Sequence, residues 1–282
     1  MGGVTQVSSF TLDKSPSGMF FYPSHGLLYI LCGTNTNGDH YLYAYGTDGT
    51  QKCFITIPTA VGMSRVDGFQ IVGSDAYIVD SQGPIYKSTA GKLGGSVYKV
   101  TWTNPCGCDS SGTCTSSTST WSPTVTKQWA IGATDAGIGD GGGVDNDFRN
   151  SGIIVSGDYL YAVNGVHSVQ QGVYNKYYPK SLVKIKMADS AVSTKWSFTA
   201  STLGRDVDME GLSCGADECA NYIYIGDEYN YIYKLKLATA DPATAVEVEW
   251  NINSIVGNVN VDKGIESLTY ASTTGYFYAG IQ

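Results

Sequence analysis

The sequence predicts an all-β fold built from repeated four-stranded antiparallel sheets, and three observations carry that expectation. The chain of 282 residues is 42% hydrophobic but only 15% charged, a balance that calls for a packed core. Its 35 glycines and 21 tyrosines favour many short strands over helices, because glycine serves tight turns and tyrosine suits a half-buried pleated surface. The third observation is a unit that recurs about every 50 to 60 residues.

Each unit opens with a strand that starts at a small residue after a polar or acidic one: Ser17-Gly18, Asp67-Gly68, Ser151-Gly152, Glu210-Gly211 and Glu266-Ser267. A tyrosine flanked by apolar residues marks the second strand, at Tyr29, Tyr77, Tyr161, Tyr224 and Tyr278. Period-2 patterns give a third strand at Tyr41–Tyr45, Val97–Val100, Leu182–Lys186 and Tyr231–Leu237. A fourth follows at Cys53–Ile57, Val125–Trp129, Lys195–Phe198 and Val246–Ile252. Trp129, Trp196 and Trp250 fall at matching points there, and packing between sheets accounts for them. Four strands repeated radially are the grammar of a β-propeller, whereas a sandwich would not repeat one four-stranded unit.

The fifth unit stops after two strands, Ile265–Tyr270 and Tyr276–Ile281, and an orphan strand, Val4–Leu12, precedes the first unit. The expectation is that Val4–Leu12 pairs into the fifth blade. The missing third strand leaves two arrangements open: a longer chain with a sixth blade, or an open edge that invites strand addition. The whole of residues 1–282 reads as one propeller domain with two insertions, a Cys/Ser/Thr-rich loop at 103–124 within the second blade and a Gly/Asp-rich loop at 132–148.

The formal net charge of −8 opposes nucleic acid and anionic membrane surfaces and welcomes cations. No apolar run reaches the roughly 20 residues of a membrane span. The start, Met1-Gly2-Gly3-Val4, lacks the charged and apolar stretches of a signal peptide. Cys106, Cys108 and Cys114 crowd one loop, Cys214 and Cys219 lie five apart, and Cys32 and Cys53 sit on neighbouring expected strands. That spacing suits local disulfides, an oxidising compartment and a secreted or cell-surface protein, with one cysteine left over.

Hairpin geometry brings the start of each first strand beside the end of each second strand. The first set supplies Asp67, Asn150, Asp208, Glu210 and Glu266, and the second supplies Cys32, Asp80, Asn164, Asp227 and Ile281. Carboxylates gathered at one channel mouth cannot all stay ionised unaided. A calcium ion, which takes six to eight oxygens, would draw on Asp67, Asp80, Asn164, Glu210, Asp227 and Glu266. Alternatively, Arg65, Arg149, Arg205 and Lys263 neutralise the carboxylates as a ring of ion pairs. A second acidic stretch, Asp135, Asp140, Asp145 and Asp147, lacks the spacing of an EF-hand and reads as a turn. Among the three histidines, His25 and His40 read as surface turn residues of the first blade, and His167, near the channel mouth, is the one placed to act as a base.

The run Asp208-Met209-Glu210-Gly211-Leu212, then Tyr222–Glu228 and Tyr231–Leu235, resembles a blade of the six-bladed-type calcium-dependent propeller superfamily, which includes esterase-like phytases, SdiA-regulated proteins and NHL-like propellers. Gly264–Tyr270 and Tyr276–Gly280 repeat the theme. The resemblance implies a channel calcium held by Glu210, Glu266, Asp227, Asn164 and Asp80; Cys32 and Ile281 depart from that pattern.

Two function classes follow. The first is a secreted binding or self-assembling module that meets an extracellular protein, a glycan or its own copies through the fifth-blade edge, without nucleic acid or membrane insertion. The second is a calcium-dependent hydrolase, whether lactonase, esterase or phytase-like phosphoesterase, with His167 or Asp227 as base. A thin histidine and nucleophile inventory places binding ahead of hydrolysis.

Overall fold

The structure is a computed structural model that describes residues 4–32, 38–58, 63, 66–80, 95–131, 150–164, 180–188, 191–198, 203, 207–239, 241–256 and 264–282. His167, the acidic stretch 135–147, and Arg65, Arg149, Arg205 and Lys263 lie outside the described residues. The first blade contains β1 (Gly18–Tyr22), β2 (Leu27–Cys32), β3 (His40–Gly46) and β4 (Gln51–Ile57). The second contains β5 (Val66–Val72), β6 (Asp75–Asp80), β7 (Gly95–Thr101) and, after a short strand β8 (Thr118–Thr120), β9 (Val125–Ile131). The third contains β10 (Asn150–Ser156), β11 (Tyr159–Asn164), β12 (Lys180–Lys186) and β13 (Ala191–Phe198). The fourth contains β14 (Met209–Cys214), β15 (Tyr222–Asp227), β16 (Tyr231–Lys236) and β17 (Val246–Asn251). A two-stranded sheet, β18 (Ile265–Ala271) and β19 (Tyr276–Ile281), ends the series.

Within each blade the strands pair antiparallel in sequence order, as the repeat predicts. The inner strands β1, β5, β10, β14 and β18 each touch the next, and β18 touches β1. The Phe21 N–H donates to Thr269 Oγ1 at 3.0 Å, joining the two ends of the ring. Among the described residues the ring thus closes on five inner strands, with β18 meeting β1 directly.

Steric crowding explains the recurrent small residue. A Cβ on Gly18 would lie 3.0 Å from Gly68 Cα, and one on Gly68 would lie 2.9 Å from the Ser151 carbonyl oxygen. A Cβ on Gly152 would strike the Glu210 carbonyl oxygen, and one on Gly211 would lie 2.6 Å from Leu268 N. The first four inner strands therefore press their backbones on the next, an approach that glycine permits, while the fifth carries Ser267 at the matching place.

The core is divided among the interfaces between blades. One cluster joins the first and second blades through Tyr29, Leu42, Phe69, Trp102 and Trp121. Others join the second to the third through Val79, Trp129 and Leu160, and the third to the fourth through Trp196, Phe198 and Ile225. The fourth-strand tryptophans do pack between sheets as expected: Trp129 lies in a cluster with Leu160 of the third blade, Trp196 with Ile225 of the fourth, and Trp250 against the cluster of Leu268 in the fifth sheet. Within their own blades Trp129 also stacks on Tyr77 at 6.1 Å and Trp250 on Tyr224 at 6.4 Å. Trp129 and Trp196 are buried, whereas Trp250, against the two described strands of the fifth sheet, is half-buried.

Three expectations need correction. Val4–Leu12 forms no strand, and no backbone hydrogen bond among the described residues ties it to β19; Phe10 instead stacks on Tyr45 of the first blade at 5.1 Å. The insertion that begins in the second blade docks on the first, where β8 pairs parallel with β4 and so covers that blade's outer edge. His40 is not a surface turn residue: it opens β3 opposite Ile57, is 1% exposed, and its Nε2 lies 3.2 Å from the Met63 carbonyl oxygen.

Disulfides Cys53–Cys106, Cys108–Cys114 and Cys214–Cys219 form, and Cys32 is the cysteine left over, buried as a free thiol. Cys53–Cys106 binds the insertion to β4. Among the described residues no helix is long and apolar enough to cross a membrane.

Candidate metal centre in the channel

The acidic residues at the inner-strand starts occupy β-bulges. Pairing slips between Val66 and Gly68, between Met209 and Gly211, and between Ile265 and Ser267, so Asp67, Glu210 and Glu266 each sit at the extra residue. A bulge re-aims the side chain that it carries. All three line one narrow cavity of about 10 Å³ on the axis, alongside Ser17, Gly152 and Leu268. That volume admits roughly one water molecule. The first blade has no acidic residue at this point, and its β1–β2 register runs without a bulge.

Oxygen atoms of Asp208, Glu210 and Glu228 lie within 4.8 Å of one another. Asp208 precedes β14, Glu210 is its bulge residue, and Glu228 follows β15, so one hairpin positions all three. The Glu228 N–H donates to the Asp208 carbonyl oxygen at 3.0 Å, which fixes the two ends of the hairpin together. Asp208 and Glu228 are buried. Burial raises the Glu210 carboxyl well above the ordinary range, and the neighbouring charges of Asp208, Glu228 and Glu266 raise it further; a hydrogen bond from Ser151 opposes the shift. The repulsion from Glu266 is felt across the junction of the fourth and fifth sheets, where both side chains line the same narrow cavity.

Asp227 ends β15 opposite Met209, at the same end of the blade. It is fully buried, and its Oδ1 accepts the Tyr229 N–H at 2.7 Å and the Asp208 N–H at 3.4 Å, while the Tyr233 hydroxyl donates to Oδ2 at 2.9 Å. Burial nonetheless raises its pKa to about 7 against the hydrogen bonds that favour the charged form. Asp80, also buried, holds the matching place opposite Val66, and Asn164 pairs with Asn150 at the end of β11. Within each of these hairpins the start of the first strand and the end of the second lie side by side. The close cluster, however, is drawn from the fourth blade, with Glu266 and Asp67 beyond it.

Glu228 is the site residue that the strand pattern missed, and Asp208, which it placed at the start of the inner strand, was left out of the calcium set. Asp208 stands two residues before Glu210, the spacing that shares a face in extended chain, and this was a readable signal. Glu228 lies in a turn, where period-2 reasoning has no purchase.

The donors suit a hard cation. Calcium binds carboxylate oxygens at about 2.4 Å, so opposed ligands stand about 4.8 Å apart. Three carboxylates this close, two of them buried, require protons, basic neighbours or a cation to relieve their repulsion.

This is a β-propeller with a carboxylate cluster at its channel. No protein-family model and no curated protein matches the sequence. The chain is similar in structure to a glutaminyl cyclase of Myxococcus xanthus, 11% identical over 96% of this chain and 87% of that one, with a TM-score of 0.54. It is also similar to a hydrazine synthase of Kuenenia stuttgartiensis (12% identity, 94% and 68% covered, TM-score 0.48) and to the WD40 propeller domain of Doa1 (8% identity, 94% and 75% covered, TM-score 0.45). At such identities the likeness concerns the fold alone.

Proposed function

We propose that the chain is an extracellular binding module whose channel carboxylates hold a calcium ion as a structural brace. The observation that carries this reading is the cluster of Asp208, Glu210 and Glu228, whose oxygens lie within 4.8 Å of one another, a donor set and spacing that suit a hard cation. Asp208, Glu210 and Glu228 would bind the ion, with Glu266 close by. Three disulfides suit secretion into an oxidising compartment.

Calcium titration of the chelator-treated protein, followed by calorimetry and thermal unfolding, tests the brace. Calcium should raise the melting temperature of the native protein and do so far less in Glu210→Gln. An equal rise in both proteins would remove Glu210 from the site.

The hydrolase alternative draws on one observation: Asp227, next to Glu228, holds its proton to near neutrality, the range of a general acid. Its burial and its hydrogen bonds to Tyr229, Tyr233 and Asp208 favour a structural role instead. Lactone, ester and phosphoester hydrolysis assayed with and without EDTA separates the two readings; chelator-sensitive turnover would overturn the module.

A further inference from the structure

In the second, third and fourth blades the fourth strand is outermost among the described residues, and each carries charge within it: Lys127 in β9, Lys195 in β13, and Glu247 and Glu249 in β17. Charge on an edge strand discourages other strands from pairing with it. β4 differs. Its run Cys53–Ile57 carries no charge and is rich in β-branched and aromatic residues, the composition of an edge that pairs readily. Among the described residues it is also the one fourth strand that the chain covers, with β8 of the insertion. That cover is held unevenly. The Cys53–Cys106 disulfide anchors the insertion before β8, and Trp121, buried in the cluster that joins the first two blades, anchors it after. β8 itself is three residues long, with Thr118 and Thr120 exposed, and none of the three enters that cluster. Main-chain hydrogen bonds hold it: the Phe54 N–H donates to the Ser117 carbonyl oxygen and the Trp121 N–H to the Thr56 carbonyl oxygen, each at 2.9 Å. A strand that buries so little apolar surface parts from its neighbour at far lower cost than its anchors do.

We infer that β8 is an autoinhibitory contact: it occupies an edge through which two copies of this chain would otherwise pair, β4 to β4. The outward main-chain groups of β4 set the register. Phe54 and Thr56 turn theirs toward β8, so by alternation Cys53, Ile55 and Ile57 turn theirs toward β3. In an antiparallel two-fold pair Phe54 then exchanges hydrogen bonds with Thr56 of the second copy, and the two Ile55 residues meet at the axis. Lys52 falls opposite Pro58, so no like charges are opposed. A two-fold pairing of β17 about Val248 would instead set Glu247 against Glu249. The edge that the insertion covers is thus the self-complementary one, and the edges left bare are those that charge protects.

This inference is independent of the calcium brace, and failure of the calcium titration would leave it standing. In the parallel register Ser119 lies between the residues that meet Phe54 and Thr56, so its own main-chain groups make the central bonds to β4. Ser119→Pro removes one of those bonds and leaves Trp102, Cys106 and Trp121 in place. Sedimentation velocity over a range of concentrations reads the result. The native protein should sediment as a monomer, and Ser119→Pro should dimerise as its concentration rises. Adding Thr56→Pro, which removes an outward N–H and spares the pairing with β3, should weaken that dimer about tenfold or more. A Ser119→Pro protein that stays monomeric, or a dimer indifferent to Thr56→Pro, would overturn the inference. So would a native protein that already dimerises and loses the dimer in Thr56→Pro. Amide hydrogen exchange reads the same contact with no residue replaced: the Phe54 and Thr56 amides should exchange about tenfold or more faster than those of Cys53 and Ile55. Equal protection would mean that β8 leaves β4 only on global unfolding, and would overturn the contact as a separable one.

Discussion

At Asp227 three hydrogen bonds hold a carboxylate in place while burial opposes its charge, and burial prevails. The sign for stability follows from proton binding. The folded protein keeps the proton up to about pH 7, whereas an unfolded aspartate releases it near 3.8. Between those values the native state binds more protons, so stability falls as pH rises, by on the order of 4 kcal/mol for the full interval. Glu210 is shifted in the same direction and adds to the slope. Thermal unfolding of calcium-free protein should therefore show a higher melting temperature at pH 5 than at pH 7.5. Asp227→Asn retains an oxygen for the Tyr229 N–H and should flatten that slope; an unchanged slope would place the titration elsewhere. The acidic starts Asp67, Glu210 and Glu266 were legible in the sequence because a bulge and a close-packed small residue impose a fixed acid-then-small pair. His40 was not legible, since nothing local shows that its ring meets the Met63 carbonyl group from a distant loop.

Strands and their junctions carry the next scale. Where one inner strand leans on another, a methyl group is too much. Gly211→Ala would set its Cβ 2.6 Å from Leu268 N and 2.8 Å from the Ser267 carbonyl carbon. A loss of about 1–3 kcal/mol is expected, the usual cost of overpacking, and urea unfolding measures it. Gly73, with φ of +61° and nothing near its absent Cβ, lies in a turn where the same substitution meets backbone strain but no neighbour. The insertion offers a second comparison. Cys53–Cys106 spans 53 residues and Cys214–Cys219 spans 5. Chain entropy assigns them about 4 and about 2 kcal/mol, so paired alanine replacements should destabilise in that order. The four strands of the complete blades were legible because strand alternation and turn glycines are local properties. The docking of β8 on β4 was not, because a three-residue parallel pair leaves no periodic trace.

For the whole molecule, ring closure on five inner strands depends on contacts between residues far apart in the chain, such as Phe21 and Thr269, separated by 248 positions. Long-range pairings of this kind form late and slowly, and refolding should be limited by the seam between the first blade and the fifth sheet. The repeat announced five inner strands, and crowding at the axis explains why it could: each blade meets the same neighbour in the same way. The fate of Val4–Leu12 was not announced, since a strand pattern says which residues can pair and not which edge they find.

That seam carries its own indicator. The Cys32 thiol is enclosed between the first blade and the fifth sheet beside Met19, Tyr43 and Ala271, its Sγ 3.7 Å from the Lys14 carbonyl oxygen, and burial holds its pKa at about 12. A thiol so protected is inert to alkylating reagents until the wall in front of it parts. The rate at which maleimide captures it in the native protein would then clock the breathing of this one joint, with no label added and no residue changed.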